Sequence, residues 1–318
     1  MLYKPNGMSW KHGWITPEVL VQGAHQCLSD SIPDLPSPHV STENLSLVHV
    51  MNIFQPTFKE GTSSLVLNRT LQSMEIAAAN SPMPLTLVNV QEDIETDCTP
   101  AGFIRAAPVT RSTATEYPEL AQRRLPFIFD IIDSGAEHAG EDDFLIYTNA
   151  DICLRPQFYS FVRNIISRGF DAFVVNRRDM DADLLHDDLH LLAEFDQGWA
   201  HTGFDCFVFR RSLLANLQRA MCCVGVRYIG WSIFANLLAN ADRFALFKNV
   251  HATYHFGQDE RTNASEAQAL EVHNGEQLQA MLRALMQDKK AAERLQIFAE
   301  TEHFLPPAVE EVLTGSAG

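Results

Sequence analysis

Short apolar runs that favour β-strands alternate with segments of helical spacing along most of the chain. Strands that alternate with helices build a mainly parallel sheet covered by helices on both faces. The sequence therefore predicts an α/β fold with such a sheet at its centre. The predicted strands are 45–54, 85–90, 144–148, 170–176, 205–209 and 244–256, the last as either a strand pair or one long strand. The predicted helices are 64–79, 119–134, one that follows Pro156, one from Ser212 and one from about Trp231.

The 318 residues divide into three predicted regions. Residues 1–45 are rich in Pro, Ser, Gly and His and lack a long periodicity, so we expect an N-terminal arm. Residues 46–260 contain the alternating strands and helices and form the predicted main domain. Residues 261–318 are largely helical and polar in pattern, as expected of a C-terminal helical extension.

The charge balance limits the partners. The chain carries 40 acidic against 24 basic side chains, a net charge of −16 at pH 7. Because phosphate backbones and anionic lipids repel such a chain at long range, we expect no nucleic-acid partner. No run approaches the roughly 18 apolar residues of a membrane span. The six cysteines form no CxxC pair, so we expect buried thiols in a reducing compartment and a cytoplasmic protein.

Polar side chains appear where the predicted strand 144–148 ends, in "LIYTNADICLRP" (145–156). In open parallel sheets, ligands bind beyond the carboxyl ends of the strands. Asp151, with the neighbouring oxygen ligand of Asn149, suits a hard divalent cation that in turn holds phosphates. In an extended segment, the spacing of two lets both side chains point the same way. The alternative is a turn, in which the two residues end the strand and cap the next helix.

The stretches "DDFLIYTNADICLRPQFYSFV" and "GFDAFVVNRRD" resemble the GT-A glycosyltransferases, the nucleotide-diphospho-sugar transferases, whose hallmark is a DxD-type motif after an apolar strand. The resemblance covers roughly 45–260 in element order and is specific near 143–178 and 201–211. It implies a GT-A-like Rossmann-type sandwich, with 46–260 as the catalytic domain. It also implies transfer of a sugar from a nucleotide-diphosphate donor to a carbohydrate or other hydroxyl acceptor.

The same resemblance implies Mn²⁺ or Mg²⁺ as cofactor. Asn149 stands where the family has its first Asp, so the metal would rest mainly on Asp151. A further ligand is expected late in the catalytic domain. In "VHATYHFGQD" (250–259) we predict His255 for that position, with His251 as the reserve.

The stretch "AHTGFDCFVFRR" (200–211) is expected to contact the donor sugar and the acceptor. Asp205 is a candidate to bind a sugar hydroxyl or to act as a base toward the acceptor, and His201 would line the same pocket. Gly203 permits close backbone approach of the donor. The resemblance implies that an inverting enzyme has an acidic base ahead of a late helix, but "VGVRYIGWSIFANLL" (224–238) contains no carboxylate. Either Asp205 or an acid from 179–196 is then the base, or the reaction retains configuration.

The nucleotide is expected to bind at the first strands of the sheet. Asn52 lies near the end of the first predicted strand, and Glu92 and Asp93 follow the second. These assignments rest on position and on the resemblance. The cationic candidates for contact with the diphosphate are Arg105, Arg111 and Arg123.

Three other functions stay open from the sequence. His186 and His190 lie four residues apart in "HDDLH", with Glu194 one turn further on, a spacing that suits zinc and a hydrolase. A sugar-nucleotide nucleotidyltransferase shares the architecture, although "QPTFKEGTSS" (55–64) is a faint match to its Gly-rich loop. A non-catalytic nucleotide-sugar-binding module is compatible with Asn149 in the motif.

Overall fold

The structure, a computed structural model, describes residues 40–54, 62–120, 123–185, 196–257, 265–302 and 304–315. In these residues a seven-stranded main sheet has the order β10-β6-β9-β4-β1-β2-β3. Its strands are β1 (Leu47–Met51), β2 (Leu85–Asn89), β3 (Phe103–Arg105), β4 (Phe144–Thr148), β6 (Ala172–Val175), β9 (Cys206–Arg210) and β10 (Phe244–Phe247).

Six of these strands run in one direction and β9 runs against them. β9 pairs antiparallel with both β4 and β6, whereas the other neighbours in the sheet pair in parallel. The mainly parallel sheet predicted from the sequence is therefore confirmed. Cys206 at the start of β9 pairs with Thr148 and with Val175, the last residues of β4 and β6. The residues before β9 thus lie at the same edge as those that follow β4 and β6.

Helices cover both faces of the main sheet, as predicted. Phe144 and Ile146 of β4 belong to one apolar core with α1 (Thr62–Ala79) and α4 (Phe158–Ser167). Leu145 and Tyr147 belong to the opposite core. That core also contains residues of α3 (Ile128–Ala136) and α5 (Ile229–Asn240). The alternation of side chains along a strand explains why every residue of β4 is buried.

A second, four-stranded sheet was not predicted. Its strand order is β5-β11-β7-β8. It lies at the carboxyl edge of the main sheet, because β5 follows β4 and β7 follows β6 in the chain. Of the two alternatives for 244–256, the strand pair is the observed one, and its strands β10 and β11 belong to different sheets. The strands of the small sheet are β5 (Cys153–Leu154), β7 (Arg178–Met180), β8 (Trp199–Ala200) and β11 (Thr253–Phe256).

Three local predictions were wrong. The helix expected at 119–134 begins only at Ile128, because Pro126 disfavours helical geometry in the residue before it. A short helix α2 (Thr113–Glu116) and a 3-10 turn at Pro118–Leu120 precede it. The region of Arg105, for which no strand was predicted, contains the edge strand β3. The helix expected from Ser212 is a 3-10 helix, Arg211–Asn216.

Three helices follow the last strand and share the core of the main sheet. They are α6 (Ser265–Leu285), α7 (Lys289–Thr301) and α8 (Pro307–Thr314). Leu282, Leu295 and Val309 belong to the same apolar cluster as Phe234 of α5. The helical character predicted for 261–318 is thus present in the described part of that region. No helix in the described residues has the length and apolar character needed to cross a membrane.

A buried histidine joins the middle of the sheet to α4. His49 of β1 is fully buried, with Nδ1 2.9 Å from Tyr159 Oη and Nε2 2.9 Å from Thr148 Oγ1. Burial lowers the pKa of His49 to about 3, so the imidazole is neutral near pH 7. Because Thr148 is the last residue of β4, this contact fixes the strand end from which the candidate site begins.

Replacing His49 with leucine is expected to lower the free energy of unfolding by about 2–4 kcal/mol, because two buried hydroxyls lose their partner. Below pH 6.5 the unfolded chain binds a proton that the native imidazole rejects down to about pH 3. As the pH falls from 6.5 to about 3, His49 should therefore lower the free energy of unfolding of the wild-type protein by about 1.4 kcal/mol per pH unit. The His49→Leu variant lacks this contribution to the slope. Urea unfolding between pH 4 and 7 measures both effects, with His138→Gln, exposed just beyond α3, as control. Equal stability of His49→Leu and wild type would contradict this assignment.

Candidate functional site

The segment after β4 forms a turn and is not extended. Ile152 N donates to Asn149 O at 3.2 Å, which closes a four-residue turn around Asp151. The expectation that both polar side chains share one side of an extended segment is therefore wrong. The capping alternative also fails, since the N-cap of α4 is Gln157 and no side chain caps that helix.

Asp151 faces His255 across the carboxyl edge of the main sheet. Its Oδ2 lies 3.4 Å from His255 Nε2. His255 belongs to β11 of the small sheet, which pairs with β5 just beyond the turn. The fold thus brings together two side chains that are 104 positions apart in the sequence and that the sequence analysis paired as metal ligands.

The second nitrogen of His255 fixes how the ring can act. Nδ1 lies 3.3 Å from the carbonyl oxygen of Gly257, which can only accept a hydrogen bond, so Nδ1 carries a proton. In the protonated ring Nε2 donates to the Asp151 carboxylate, and in the neutral ring the Nε2 lone pair is available to a cation held between the two side chains. Histidine ligands of metals are commonly oriented through such a bond from the other ring nitrogen.

The second oxygen of Asp151 lacks a partner. Oδ1 is buried and makes no hydrogen bond to the described residues, although the side chain as a whole is 45% exposed. Burial raises the pKa of Asp151, but the hydrogen bond and charge of His255 and the charge of Arg177 outweigh it, so the net pKa lies below the usual value. The carboxyl group is therefore ionised near neutral pH and has an oxygen to offer.

These atoms fit a divalent cation that is shared with a ligand. Two atoms that each bind one ion at about 2.1 Å in adjacent positions lie about 3 Å apart, close to the 3.4 Å between Asp151 and His255. The described residues contain no group of three or more His, Cys, Asp or Glu with metal-binding geometry. Mg²⁺ is commonly held by one or two protein ligands together with substrate phosphates and water. Asp151 and His255 therefore suit an ion of this kind better than they suit a structural metal site, in which protein side chains supply every ligand.

Asn149 lies at the start of the same turn. Tyr147 Oη donates to Asn149 Oδ1 at 3.2 Å, which orients the amide at the end of β4. Burial raises the pKa of Tyr147, with a further rise from the charge of Asp151, so this hydroxyl keeps its proton. The amide oxygen retains a second lone pair for another contact.

A buried ionic cluster lies beside the Asp151–His255 pair. Arg177 Nε is 2.9 Å from Asp179 Oδ1, and its Nη1 is 3.3 Å from Asp205 Oδ1. His201 Nδ1 is 3.0 Å from Asp179 Oδ2, and its Nε2 is 3.8 Å from Asp205 Oδ2. The four side chains are between 4% and 18% exposed. We call these four residues the ionic cluster.

The ionic cluster shifts the pKa values of its members in opposite directions. Burial raises the pKa of Asp179, but the hydrogen bond from His201 and the charge of Arg177 outweigh burial, so the net pKa lies below the usual value. Burial lowers the pKa of His201, but the bond to Asp179 and the charge of Asp205 raise it above 6.5. The acid is thus ionised, while the imidazole keeps its proton to a higher pH than a free one does.

The small sheet joins the two groups into one site. His255 pairs in register with Asp179 in the parallel strands β11 and β7, so their side chains leave the same face. Arg177 lies between β6 and β7, and Asp205 directly precedes β9. The sequence analysis missed Arg177 and Asp179, although the "NRRD" that contains them follows a predicted strand. Charged residues at a strand end were the available signal.

Gly203 contacts the ionic cluster. A Cβ atom at this position would lie 2.5 Å from His201 Nε2, closer than any real contact. Because Gly203 has no side chain, the His201 imidazole of the same loop has room to lie against it. The sequence analysis expected Gly203 to admit the donor.

The residues predicted for the nucleotide lie at the ends of β1 and β2, one and two strands away from β4, which Asp151 follows. Asn52 is buried and donates through Nδ2 to Val90 O at 2.8 Å, so it joins the two strand ends. Glu92 is buried and pairs with Arg124 Nε at 2.9 Å, and Asp93 lies 3.8 Å from the same guanidinium. The cation beside these acids is Arg124, where the sequence analysis named Arg123.

The other candidates lie apart from Asp151. Arg105 pairs with Asp97, and Arg111 forms a two-pronged pair with Asp130 at 3.0 and 2.6 Å. His251 has its pKa lowered to about 4, first by burial and then by the charges of Arg178 and Arg155. The candidate zinc residues His186, His190 and Glu194 lie outside the described residues, as do 55–61 of the candidate Gly-rich loop.

No family model and no curated protein matches the chain. S. aureus TarS residues 1–349, in complex with UDP-GlcNAc, is 11% identical with a TM-score of 0.43, over 85% of this chain and 84% of that one. A protein assigned as a nucleotide-diphospho-sugar transferase from Desulfovibrio desulfuricans G20 is 11% identical with a TM-score of 0.34, over 74% and 97%. A protein assigned as a glucose-1-phosphate thymidylyltransferase from Bacillus anthracis is 7% identical with a TM-score of 0.37, over 72% and 94%.

Proposed function

We propose that the protein is a glycosyltransferase that moves a sugar from a nucleotide-diphosphate donor to a hydroxyl acceptor, with Mn²⁺ or Mg²⁺. The observation that carries the proposal is the pair formed by Asp151 and His255 at the carboxyl edge of the sheet. Two electron-pair donors 3.4 Å apart, one with an orphaned buried oxygen, suit a cation that also binds a pyrophosphate.

Each residue of the site has its own proposed role. Asp151 and His255 would hold the metal, and Asn149 is placed to contact the metal or a phosphate oxygen. When bound, the cation neutralises charge on the departing diphosphate, a Lewis-acid role. Asp205, whose Oδ1 pairs with Arg177, would contact a hydroxyl of the sugar or the acceptor.

The proposal extends to the surroundings of the site. Arg124, about 31% exposed beside Glu92, is the basic side chain at the nucleotide end of the same edge. Cys153, Cys206, Cys222 and Cys223 are buried free thiols, which supports the proposed cytoplasmic location. The acceptor is proposed as a carbohydrate or another hydroxyl compound, in keeping with the carboxylates of the ionic cluster.

A thermal-shift screen tests this function. UDP-glucose, UDP-GlcNAc, GDP-mannose and dTDP-glucose are each added with Mn²⁺ or with EDTA. One donor at about 100 times its Kd should raise the Tm by about 5 °C or more with Mn²⁺ and far less with EDTA. Release of the nucleoside diphosphate then indicates glycosyl transfer, whereas release of pyrophosphate from a nucleoside triphosphate with a sugar phosphate indicates nucleotidyl transfer. The absence of any metal-dependent shift would reject the proposal.

A further inference from the structure

We propose that His201, oriented by Asp179, is the general base that removes the proton from the acceptor hydroxyl. This inference rests on the proposed function and adds to it the identity of the base and the stereochemical outcome. A base-assisted single displacement inverts the configuration of the transferred sugar.

The hydrogen bond from His201 Nδ1 fixes the tautomer. The 3.0 Å contact joins Nδ1 to a carboxylate oxygen of Asp179, which accepts, so the proton is on Nδ1 and the lone pair of the neutral ring is on Nε2. Arg177 holds the other oxygen of Asp179 at 2.9 Å. Asp179 is thereby fixed from two sides and in turn fixes the plane of the imidazole. A carboxylate–imidazole pair of this kind is a common arrangement for proton transfer.

The Nε2 atom lies where an acceptor oxygen can bind. It is 3.8 Å from Asp205 Oδ2, an oxygen that is itself buried, so the acceptor hydroxyl would approach the imidazole at Nε2 and not the Oδ2 atom. Gly203 adds no side chain beside Nε2, where a Cβ would lie at 2.5 Å. The ring remains 18% exposed, more than either acid of the ionic cluster. Asp205 then lies beside the ring, where its charge stabilises the imidazolium, and His201 is the residue that takes the proton of the hydroxyl.

The carboxylates of the ionic cluster are poorer bases than the imidazole. Asp179 and Asp205 each pair with the buried guanidinium of Arg177, and an adjacent positive charge stabilises the ionised form of an acid. A carboxylate held in that form has little tendency to accept a proton. The imidazole of His201 faces Asp179 on β7, Asp205 before β9 and Arg177 between β6 and β7. Burial works against its protonation, but the two acids outweigh burial and raise its pKa.

The reaction balances with these groups. The acceptor oxygen forms a bond to the anomeric carbon of the donor sugar, and the bond between that carbon and the diphosphate oxygen breaks. The electron pair of the broken bond leaves with the diphosphate. His201 Nε2 takes the hydroxyl proton, becomes an imidazolium beside the Asp179 carboxylate, and later returns the proton to water.

The test uses the donor found in the thermal-shift screen, with Mn²⁺ and with methanol as a small hydroxyl acceptor. Methyl glycosides keep their anomeric configuration, so NMR of the product reports inversion or retention. His201→Gln is expected to lower the transfer rate at saturating donor by about 10²–10⁴-fold. Its metal-dependent donor binding should remain, and His138→Gln, exposed beyond α3, should transfer at the wild-type rate.

The pH profile separates a chemical role of Asp179 from a structural one. The wild-type rate is expected to fall at low pH with an apparent pKa above 6.5, as the imidazole becomes protonated. Because Asp179 raises the pKa of His201, Asp179→Asn should move this limb to lower pH as well as lower the rate. A transfer rate of His201→Gln near that of wild type, retention of configuration, or an unmoved limb in Asp179→Asn would each overturn the inference. Failure of the wild-type protein to bind any donor would instead reject the function itself.

Discussion

Asp151→Ala is expected to lower donor turnover by about 10³-fold or more while the fold survives. The variant removes the ionised carboxylate that faces His255, and with it the main protein contact of the proposed cation. Interactions that stabilise charge developing in a reaction contribute rate factors of about 10²–10³ each, and a lost metal removes several at once. The release of nucleoside diphosphate from the donor measures the rate, and circular dichroism with urea unfolding measures the fold.

The free energy of unfolding should change by less than about 1.5 kcal/mol, because the Asp151 side chain is half-exposed and its one described contact is the His255 ring. Asp142→Ala is the matched control. It removes an exposed acid at the opposite end of the same strand, where the carboxylate pairs only with the Arg210 guanidinium at the surface in the described residues. Full activity of Asp151→Ala would remove the metal site from the account.

Arg177→Met is expected to destabilise the protein by about 3–5 kcal/mol. It leaves Asp179 and Asp205, both about 10% exposed, without the guanidinium that lies between them. Breaking a buried ion pair from one side has this large effect because the remaining charge stays in a poorly solvated place. Urea unfolding at pH 7 measures the loss.

The pH dependence identifies the cause of this loss. The pKa of Asp179 is lowered in the folded protein, so its ionised form contributes stability above the ordinary value of 3.8 and loses that contribution as the pH falls. The difference between wild type and Arg177→Met should therefore narrow below about pH 4. Arg283→Met, which removes an exposed pair with Glu311, should change stability by less than about 1 kcal/mol. An effect of Arg177→Met as small as that would contradict the burial of the ionic cluster.

The sequence predicted the centre of the fold where local pattern and burial agree. The predicted strand 144–148 has the same bounds as β4, since each of its residues is both a strand former or apolar and buried in one of the two cores. The helices at 64–79 and after Pro156 were also predicted near their observed bounds. Apolar spacing along these helices matches the faces that they bury.

Tertiary pairing decided what the sequence left open. The direction of β9 depends on its neighbours β4 and β6, and nothing in the run "DCFVF" distinguishes parallel from antiparallel pairing. The small sheet was missed because β5 and β8 have two residues each, too few to show alternation. The turn that closes around Asp151 was the alternative favoured by its residue types, Asn and Asp.

Tertiary contacts also explain why only some residues of the candidate site were chosen from the sequence. Asp151 was chosen from its position at a strand end and His255 from a resemblance, and the two side chains lie 3.4 Å apart in the structure. Arg177 and Asp179 were not chosen, because their role depends on contacts with Asp205 and His201 that only the folded chain makes. Asn52 was chosen by its position at a strand end, yet its amide is used to join β1 to β2.

The most direct test of the account is the affinity for Mn²⁺, followed by electron paramagnetic resonance with and without the donor. The account predicts that the donor tightens Mn²⁺ binding to the wild-type protein. It predicts that Asp151→Asn weakens that binding at least about tenfold, and that His255→Gln weakens it in the same direction. Binding of Mn²⁺ and donor with equal affinity to the wild type and to both variants would contradict the central claim that these two side chains hold the cation.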